Sequence, residues 1–322
     1  MILLYHLAAA TLAYIVDFVV GDPKNWPHPV RWMGTLIAAL DKKWNKGSHK
    51  KLKGMLMTAT VILTVILIST VTVYGAYFLH PVAGVIWEAI LIASTFAQKS
   101  LKEAAMEVYD PLRKGDLGEA RLKLSYIVGR DTEHLDEAEI VRGTVETVAE
   151  NTSDGVTAPL FWGTVAGAPL AIAYRAINTC DSMVGYRNEI YRDFGWASAR
   201  LDDLVNWIPS RLTALVMLFS MKPKASSVKA CWQITLRDAP KHPSPNSGWC
   251  EAATAAILGV QLGGINYYKG LVSDRAKMGE PVVPLQSKHI KHSIILMQRS
   301  SLVFLLLLWL GGIIFAFAFS WF

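Results

Sequence analysis

The chain has 322 residues, of which 52% are hydrophobic and 18% charged, and its mean hydropathy is +0.30. Soluble domains carry about a quarter charged residues, so this composition argues against an ordinary soluble domain and predicts a polytopic membrane protein. The net charge of +6 does not indicate nucleic-acid binding. The basic residues lie beside apolar segments, where lysine and arginine mark the cytoplasmic side of a membrane.

Apolar segments approaching the length of about 20 residues that a membrane-spanning helix needs recur along the chain. We expect residues 2–20 to form a retained span, because no basic region and no A-x-A cleavage site mark a signal peptide. Residues 55–79 and 302–322 carry no charge and are the strongest candidates. Weaker candidates, which are short or contain proline or charge, are residues 82–97, 156–174 and 204–221. Residues 252–265, only 14 in number, suit a buried or re-entrant helix.

The basic residues predict the orientation in the membrane. Residues 41–54 hold six lysines and arginines, residues 98–155 hold eight, and residues 222–301 hold eleven. These three segments are therefore expected to be cytoplasmic, in a multi-pass protein of the cell (inner) membrane.

The polar segment 178–203 could lie on either side of the membrane. If residues 156–174 and 204–221 both cross fully, it faces outside. Alternatively, the prolines within those two segments break their helices around a cavity open to the cytoplasm, where irregular backbone is tolerated at membrane depth. We favour the cavity.

The expected fold is all-α: a polytopic membrane helix bundle with cytoplasmic helical loops and broken or re-entrant helices. Residues 1–322 are expected to form one membrane-embedded domain, with a soluble helical insertion at about 98–155. Residues 136–150 are the clearest helix of that insertion, with four charged residues on one face: Glu139, Arg142, Glu146 and Glu150. Cys180, Cys231 and Cys250 form no C-x-x-C and are expected to be reduced or buried thiols.

Two short polar stretches have plain structural explanations beside functional ones. In "GDPKNWPHPVRWMG", residues 21–34, prolines predict a rigid loop that projects Asp22, His28 and Arg31 at the membrane surface. The alternative is an interfacial turn with Trp26 and Trp32 in the aromatic belt.

In "VGRDTEHLDEAE", residues 128–139, capping by Asp131 or Thr132 explains most of the polarity. Arg130 is left without a structural role.

The stretch "AENTSDG", residues 149–155, holds more polar residues than a helix cap needs. Glu150 is followed by Asn151, Thr152, Ser153 and Asp154, whereas one cap requires one such side chain. Carboxylate and amide oxygens in a short loop suit Mg²⁺, which also accepts phosphate oxygens as ligands.

The segment from residue 174 to 212 carries the densest polar pattern. Arg175, Asn178, Asp181 and Ser182 fall within two helical turns. Arg187, Arg192 and Arg200 are suited to grip a phosphate. Asp202, Asp203 and Asn206 form D-D-x-x-N, which only loosely resembles a metal-diphosphate motif. Polar lining of a bundle and an Arg200–Asp203 helix pair are the structural alternative, but ionisable residues inside a membrane bundle favour function.

The stretch "HPSPNSGWCEAATAAILGVQLGG", residues 242–264, places polar residues before a helix of small residues. Ser244, Asn246 and Ser247 precede a helix start whose N–H groups suit an anion. A capping box with Ser247 as the cap is the alternative, although Cys250 stands where the box needs Glu. The sequence contains no P-loop, G-x-G-x-x-G, H-E-x-x-H or G-x-S-x-G motif.

In this order, these stretches resemble the CobD/CbiB family of cobalamin biosynthesis, from residue 17 to about 270. The most specific pieces are "VAENTSDGVTAPLFW", "AYRAINTCDSMVGYRNEIYRDFGWASARLDDLVNWIPSRLTA" and "HPSPNSGWCEAATAAILGVQLGG". The resemblance implies a membrane-embedded adenosylcobinamide-phosphate synthase. Such an enzyme uses ATP and Mg²⁺ to join adenosylcobyric acid to (R)-1-aminopropan-2-ol phosphate or ethanolamine phosphate through an amide.

With that reaction, the polar residues of the chain receive expected roles. Glu150, Asp154 and Asp181 are expected to be catalytic, and Asp154, Asp202 and Asp203 to hold the metal. The substrate- and phosphate-binding residues are expected to be His28, Arg31, Arg130, Asn151, Asn178, Ser182, Arg187, Arg200, Arg211, Ser244, Asn246 and Ser247.

The expected partners are the two substrates and the lipid bilayer, and no nucleic acid. Other membrane enzymes of late cobalamin synthesis are candidate partners, and the sequence indicates no oligomeric state. The rival hypothesis is a non-catalytic membrane sensor like the AmpE proteins, or a corrinoid transporter, since broken helices with charged ends also build transport sites.

Overall fold

The computed structural model describes residues 2–22, 28–224 and 226–319. The helices are α1 Ile2–Val19, α2 Pro29–Trp44, α3 Lys50–Leu79, α4 Pro81–Ala93, α5 Gln98–Arg113, α6 Leu117–Ser125, α7 Glu137–Thr152, α8 Ala158–Val184, α9 Trp196–Val205, α10 Trp207–Ser220, α11 Val228–Asp238, α12 Ser247–Leu258 and α13 Lys288–Phe319. A π-helical turn, Ser153–Thr157, joins α7 to α8, and a 3₁₀ turn, Ala239–Lys241, follows α11. The antiparallel strands β1, Leu262–Tyr268, and β2, Leu271–Met278, form the one sheet of the described residues.

The prediction of an all-α membrane protein is confirmed. Among the described residues, five helical stretches are long and apolar enough to cross a membrane: Ile2–Val19, Lys50–Leu79, Pro81–Arg113, Glu137–Val184 and Lys288–Ala318. The predicted span at 204–221 corresponds to α10, which has 14 residues, so it is shorter than the usual span.

The contacts divide the described residues into two compact units. Unit 1 comprises those within 1–97, 158–206 and 305–322, and unit 2 those within 98–157 and 207–304. The predicted insertion at 98–155 is therefore grouped with residues 207–304 in unit 2. The expectation of one domain over the whole chain stays a prediction.

Unit 1 packs its apolar helices through small side chains. Ala9, Ala10 and Ala13 of α1 are fully buried beside Ala168 and Ala171 of α8. Small residues allow membrane helices to approach closely, which strengthens their van der Waals contacts. A second buried cluster joins α2, α3 and α8 and includes Phe194, from the segment between α8 and α9.

Helix α8 is broken inside unit 1. Ala166 and Gly167 have non-helical backbone, and Gly167 has φ 72° and ψ −164°, a conformation that essentially only glycine adopts. The carboxylate of Glu88 accepts a hydrogen bond of 2.9 Å from the N–H of Ala168, where the helix resumes. It also accepts one of 2.7 Å from the hydroxyl of Tyr77, and lies 3.0 Å from His6 Nδ1. The broken helix that the prolines predicted is thus present, with Glu88 capping its second half.

Unit 2 has a core of longer aliphatic side chains. Leu124, Ile140, Val145 and Leu258 are fully buried in it, together with Met297 of α13. Helix α7 begins with a complete capping box, in which the Asp136 side chain accepts from the N–H of Glu139 and the Glu139 side chain accepts from the N–H of Asp136. The predicted helix at 136–150 is therefore confirmed, but its cap is Asp136 and neither Asp131 nor Thr132.

The hairpin β1–β2 corrects the prediction for residues 252–265. Helix α12 ends at Leu258 because Gly259 adopts a left-handed conformation with φ 68°, the usual C-terminal stop signal. Ile265 lies in β1 instead of a helix. Gly263 and Gly264 in β1 have positive φ, which Gly adopts without steric cost. The pairing with β2 shifts its register between Leu262 and Gly264.

Candidate functional site

Three arginines line one cavity of unit 1. The cavity has a volume of about 350 Å³ and lies in the segment between α8 and α9 and the first turns of α9. Arg187, Arg192 and Arg200 line it together with Asp203 and Trp196. We call it the arginine cavity. The predicted phosphate-binding residues Arg187 and Arg200 thus share one cavity. Guanidinium groups bind phosphate oxygens in a bidentate manner, so this lining suits a phosphate group.

Local backbone contacts hold the wall of the arginine cavity. The Asn188 side chain accepts hydrogen bonds from the N–H groups of Ile190 and Tyr191, at 3.1 and 3.0 Å. Phe194 is fully buried and anchors the segment. Burial raises the pKa of the Asp203 carboxyl above its ordinary value, although Arg200 and Arg187 oppose the shift. An additional cation in the cavity would therefore stabilise the charged form of the Asp203 carboxylate.

A second group of polar residues in unit 1 surrounds Asp202. Asn178 donates from Nδ2 to Asp202 Oδ1 across 3.3 Å, and Arg175 lies 3.4 Å from Asn178 Oδ1. Burial and the neighbouring carboxylate of Asp181 raise the pKa of Asp202. Asn178 and Asp181, three residues apart on α8, thus both interact with Asp202.

The adjacent aspartates of the D-D-x-x-N stretch point to different surroundings. Asp202 interacts with Asn178 and Asp181, whereas Asp203 lines the arginine cavity. Asn206 ends α9 and accepts a 2.8 Å hydrogen bond from the Tyr174 hydroxyl. The carboxylate of Asp203 nevertheless contributes to the raised pKa of Asp202, and the metal-binding role predicted for these two aspartates stays a prediction.

Ser182 has a local backbone contact. Its hydroxyl donates to the backbone carbonyl of Thr179 across 3.0 Å. The binding role predicted for Ser182 stays a prediction.

The stretch "AENTSDG" is helical, which corrects the prediction of a short loop. Helix α7 continues through Thr152 into the π-helical turn that contains Asp154. Such single π turns carry an extra residue in the helix and occur frequently at functional sites. The Asn151 side chain donates to the Thr147 carbonyl across 3.0 Å, so it contacts its own helix.

Glu150 and Ser247 are hydrogen-bonded within unit 2. Ser247 donates from Oγ to Glu150 Oε1 across 2.8 Å. Asn246 is the N-cap of α12 without a side-chain cap bond, so the alternative of Ser247 as the cap is wrong. Instead, Ser244 Oγ accepts from the N–H groups of Asn246 and Ser247, at 3.2 and 3.3 Å.

His242 and Glu251 complete this group, which we call the Glu150 cluster: Glu146, Glu150, His242, Ser247 and Glu251. His242 Nε2 lies 3.6 Å from Glu251 Oε1. Burial raises the pKa of the Glu251 carboxyl well above its ordinary value, and the Glu146 and Glu150 carboxylates add to this. Burial lowers the pKa of His242. A buried carboxyl with a raised pKa beside a histidine with a lowered pKa is suited to acid–base chemistry.

Sequence reasoning gave neither His242 nor Glu251 a role, although both lie in the polar stretch before and within α12. One signal was available for His242. Three His-Pro pairs occur, and in each the His Nδ1 accepts the N–H two residues later, at Val30, Val82 and Ser244. This turn leaves Nε2 of His242 facing the cluster. Glu251 had no comparable signal, since its burial depends on the packing of α12.

Arg130 has buried protein partners. Its guanidinium donates to Glu146 and, across 2.5 Å, to Asn266 Oδ1. Glu146 in turn accepts from the N–H of Gly263 at 2.8 Å, and Arg142 donates to the Gly263 carbonyl at 2.6 Å. These contacts attach the hairpin to α7. The phosphate-binding role predicted for Arg130 stays a prediction.

Arg211 lies near the start of α12. It donates to the Trp207 carbonyl across 2.7 Å and lies 3.3 Å from Asn246 Oδ1. Its guanidinium also stacks on the rings of Trp207 and Trp249. Arg211 is thus positioned by aromatic side chains beside Asn246.

The first polar stretch forms a helix start. His28 is the N-cap of α2 and lies 3.1 Å from Asp22 Oδ1. Arg31 and Trp32 belong to the first turn of α2, so the prediction that Arg31 projects from a rigid loop is wrong. Pro29 occupies the first helical position, where its fixed φ and missing N–H are tolerated. Trp26 lies outside the described residues.

The metal assignment combined residues of both units, with Asp154 in unit 2 and Asp202 and Asp203 in unit 1. Within residues 2–22, 28–224 and 226–319, no group of three or more His, Cys, Asp or Glu is arranged to hold a metal ion. Mg²⁺ is usually bound by one or two carboxylates and by substrate phosphates. Asp203 supplies one carboxylate in the arginine cavity, and a phosphate held by the arginines would supply the remaining oxygen ligands of such a site. All three cysteines are free and buried, as predicted.

Comparisons with known proteins agree on one family. The family model described as CobD/Cbib protein matches residues 10–297. The chain is 55% identical to the cobalamin biosynthesis protein CobD of Halalkalibacterium halodurans, over 97% of this chain and 98% of that protein. It is 43% identical to the cobalamin biosynthesis protein CbiB of Salmonella typhimurium, over 94% and 96%. No solved structure matches. The chain belongs to the CobD/CbiB family.

Proposed function

We propose that this protein is a membrane-embedded adenosylcobinamide-phosphate synthase of cobalamin biosynthesis. Its substrates are adenosylcobyric acid, ATP and an amino alcohol phosphate, either (R)-1-aminopropan-2-ol phosphate or ethanolamine phosphate. The names of its relatives and its apolar helices support the pathway and the membrane location. The observation that carries the reaction type is the arginine cavity, because two of the three substrates bear phosphate.

The chemistry requires activation of a carboxylate. The corrinoid carboxylate attacks the terminal phosphorus of ATP, and ADP leaves as the acyl phosphate forms. The amine then attacks the acyl carbon, a proton passes to a base, and phosphate leaves as the amide forms. Cations around the phosphate oxygens stabilise the charge that develops during transfer.

Residues of the chain match these requirements. Arg187 and Arg200 are assigned to phosphate binding, with Arg192 beside them. Asp203 is assigned to a Mg²⁺ ion that would neutralise phosphate charge. Glu150, with its hydrogen bond from Ser247, is assigned to proton transfer.

The remaining predicted residues join these assignments. Asp154 and Asp202 are kept as candidate metal ligands, and Asp181 as a catalytic carboxylate. We further propose that the protein resides in the cell (inner) membrane with residues 98–155 and 222–301 on the cytoplasmic side, where ATP is available.

A reconstituted assay tests the function. Purified protein in detergent or vesicles is incubated with adenosylcobyric acid, the amino alcohol phosphate, ATP and Mg²⁺, and products are identified by mass spectrometry. The proposal expects the amide product, with one ATP consumed for each amide formed. No amide should form when ATP is omitted. Corrinoid uptake into vesicles without amide formation would instead support a transporter, and corrinoid binding alone would support a sensor.

A further inference from the structure

An apolar groove lies next to the arginine cavity in unit 1. The groove has a volume of about 520 Å³ and runs between α3 and α9. Met55, Ala59 and Leu63 form one wall, and Ala197 and Leu204 belong to the other. Leu63 is 65% exposed and Leu204 is 70% exposed, so large apolar side chains of the groove lack a protein cover.

The groove has a rigid base. Thr58 and Ser198 share a buried hydrogen bond of 2.8 Å between their hydroxyl groups, which joins α3 to α9. Gly54 of α3 allows close approach of the segment just before α9, because a Cβ atom there would collide with the backbone carbonyl of Phe194. These two contacts join α3 to α9 and to the residues that precede it.

Two residues line both the groove and the arginine cavity, namely Trp196 and Arg200. The ammonium group of Lys51 lies 3.8 Å from the centroid of the Trp196 ring. Lys51 is in the first turn of α3, four residues before its uncharged stretch at 55–79. A tryptophan with basic side chains at the end of an apolar helix is typical of the membrane–water interface.

We propose that this groove binds one anionic phospholipid, with an acyl chain between α3 and α9 and its phosphate at Lys51 and Arg200. The apolar walls suit the chain, and Arg200 in the groove lining, with Lys51 over the ring of Trp196, suits the negative headgroup. Helix α3 is long and apolar enough to cross a membrane, which places its exposed apolar side chains where lipid chains can reach them. Because Arg200 also lines the arginine cavity, bound lipid adjoins the phosphate site. This inference does not depend on the proposed reaction.

Native mass spectrometry tests the site. Delipidated protein in detergent is titrated with dioleoyl phosphatidylglycerol and, separately, with dioleoyl phosphatidylcholine. We expect one phosphatidylglycerol to bind more tightly than any phosphatidylcholine. Ala59→Phe and Ala197→Phe, which fill the groove, should weaken that first binding event at least ten-fold. Lys51→Gln should weaken it about five-fold, the effect of one basic side chain near an anionic headgroup.

Matched controls separate the groove from general effects. Thr72→Phe places the same ring on an exposed position of α3 outside the groove lining, and Lys43→Gln removes a lysine of α2. Both should leave the first binding event unchanged. Equal binding of both lipids, or unchanged binding in Lys51→Gln and the filled-groove variants, would overturn the proposal. So would a groove variant that binds lipid normally but has a raised KM for the corrinoid, since the groove would then hold substrate.

Discussion

Ser247 Oγ donates a hydrogen bond of 2.8 Å to Glu150 Oε1 and thereby joins the start of α12 to the end of α7. The contact unites two stretches that lie 97 residues apart in the sequence. It holds the carboxylate of Glu150 in a defined orientation. Orientation of a base by a second side chain is a common arrangement in acid–base catalysis.

Glu150→Gln removes the negative charge and keeps the shape. We expect kcat for amide formation to fall at least about 100-fold, the usual contribution of a general acid or base. Ser247→Ala should lower kcat less, because the carboxylate remains. The melting temperature in detergent should stay near that of the unchanged protein. Glu133→Gln, at an exposed position, is the control, and normal turnover in Glu150→Gln would remove Glu150 from the mechanism.

Asp154→Ala tests the π-helical turn. We expect amide formation to be abolished while the protein still inserts and purifies, because a metal-phosphate site loses a ligand but little packing. Activity is measured over a range of Mg²⁺ concentrations, with Asp110→Ala as an exposed control. Near-normal turnover at saturating Mg²⁺ would show that Asp154 has only a structural role in the turn.

Arg200→Lys keeps the charge but loses the bidentate geometry of the guanidinium. We expect KM for one phosphate-bearing substrate, ATP or the amine, to rise about ten-fold, with no change in KM for the corrinoid. The competing explanation is a surface pair with Asp203 on the same helix, which contributes at most about 1 kcal/mol. Unchanged KM values for ATP and the amine would support that explanation. Arg113→Lys serves as the control.

Gly167→Ala tests the break in α8. The backbone of residue 167 has φ 72° and ψ −164°, which strains any residue with a side chain. The added Cβ would also collide with Glu88 and His6. Strain of this kind costs about 1–3 kcal/mol, so the melting temperature in detergent should fall by several degrees. Gly75→Ala is the matched control, since nothing lies within 4 Å of its added Cβ. Equal melting temperatures for both variants would contradict a break in the helix at Gly167.

The orientation is tested by labelling single introduced cysteines in intact cells. The native cysteines are buried, so their background should be low. Lys114→Cys and Lys277→Cys place thiols at exposed positions of the two basic segments. We expect both to react only after the membrane is permeabilised. Reaction with a membrane-impermeant reagent in intact cells would refute the cytoplasmic assignment.

Much of the fold could be predicted because its signals are local. The uncharged stretch 55–79 exceeds the thickness of a bilayer and becomes α3. The helix at 136–150 is specified by its own cap and apolar face. The hairpin was missed because β1 contains two glycines and follows a helix of small residues, a pattern that favours close helix packing. The loop expected at "AENTSDG" was wrong, since cap residues also occur inside a continuous helix.

The sequence by itself determined the family, the membrane class and the polar stretches, because composition, span length and motif order are properties of the chain alone. Only the tertiary structure decided which polar side chains meet. It brought Arg187 and Arg200 to one cavity, placed Asn178 against Asp202, and added His242 to the Glu150 cluster. The physical reason is that these contacts either join residues far apart in sequence or depend on how each helix is rotated and buried. Tertiary packing determines that rotation and burial, and the residue types alone do not.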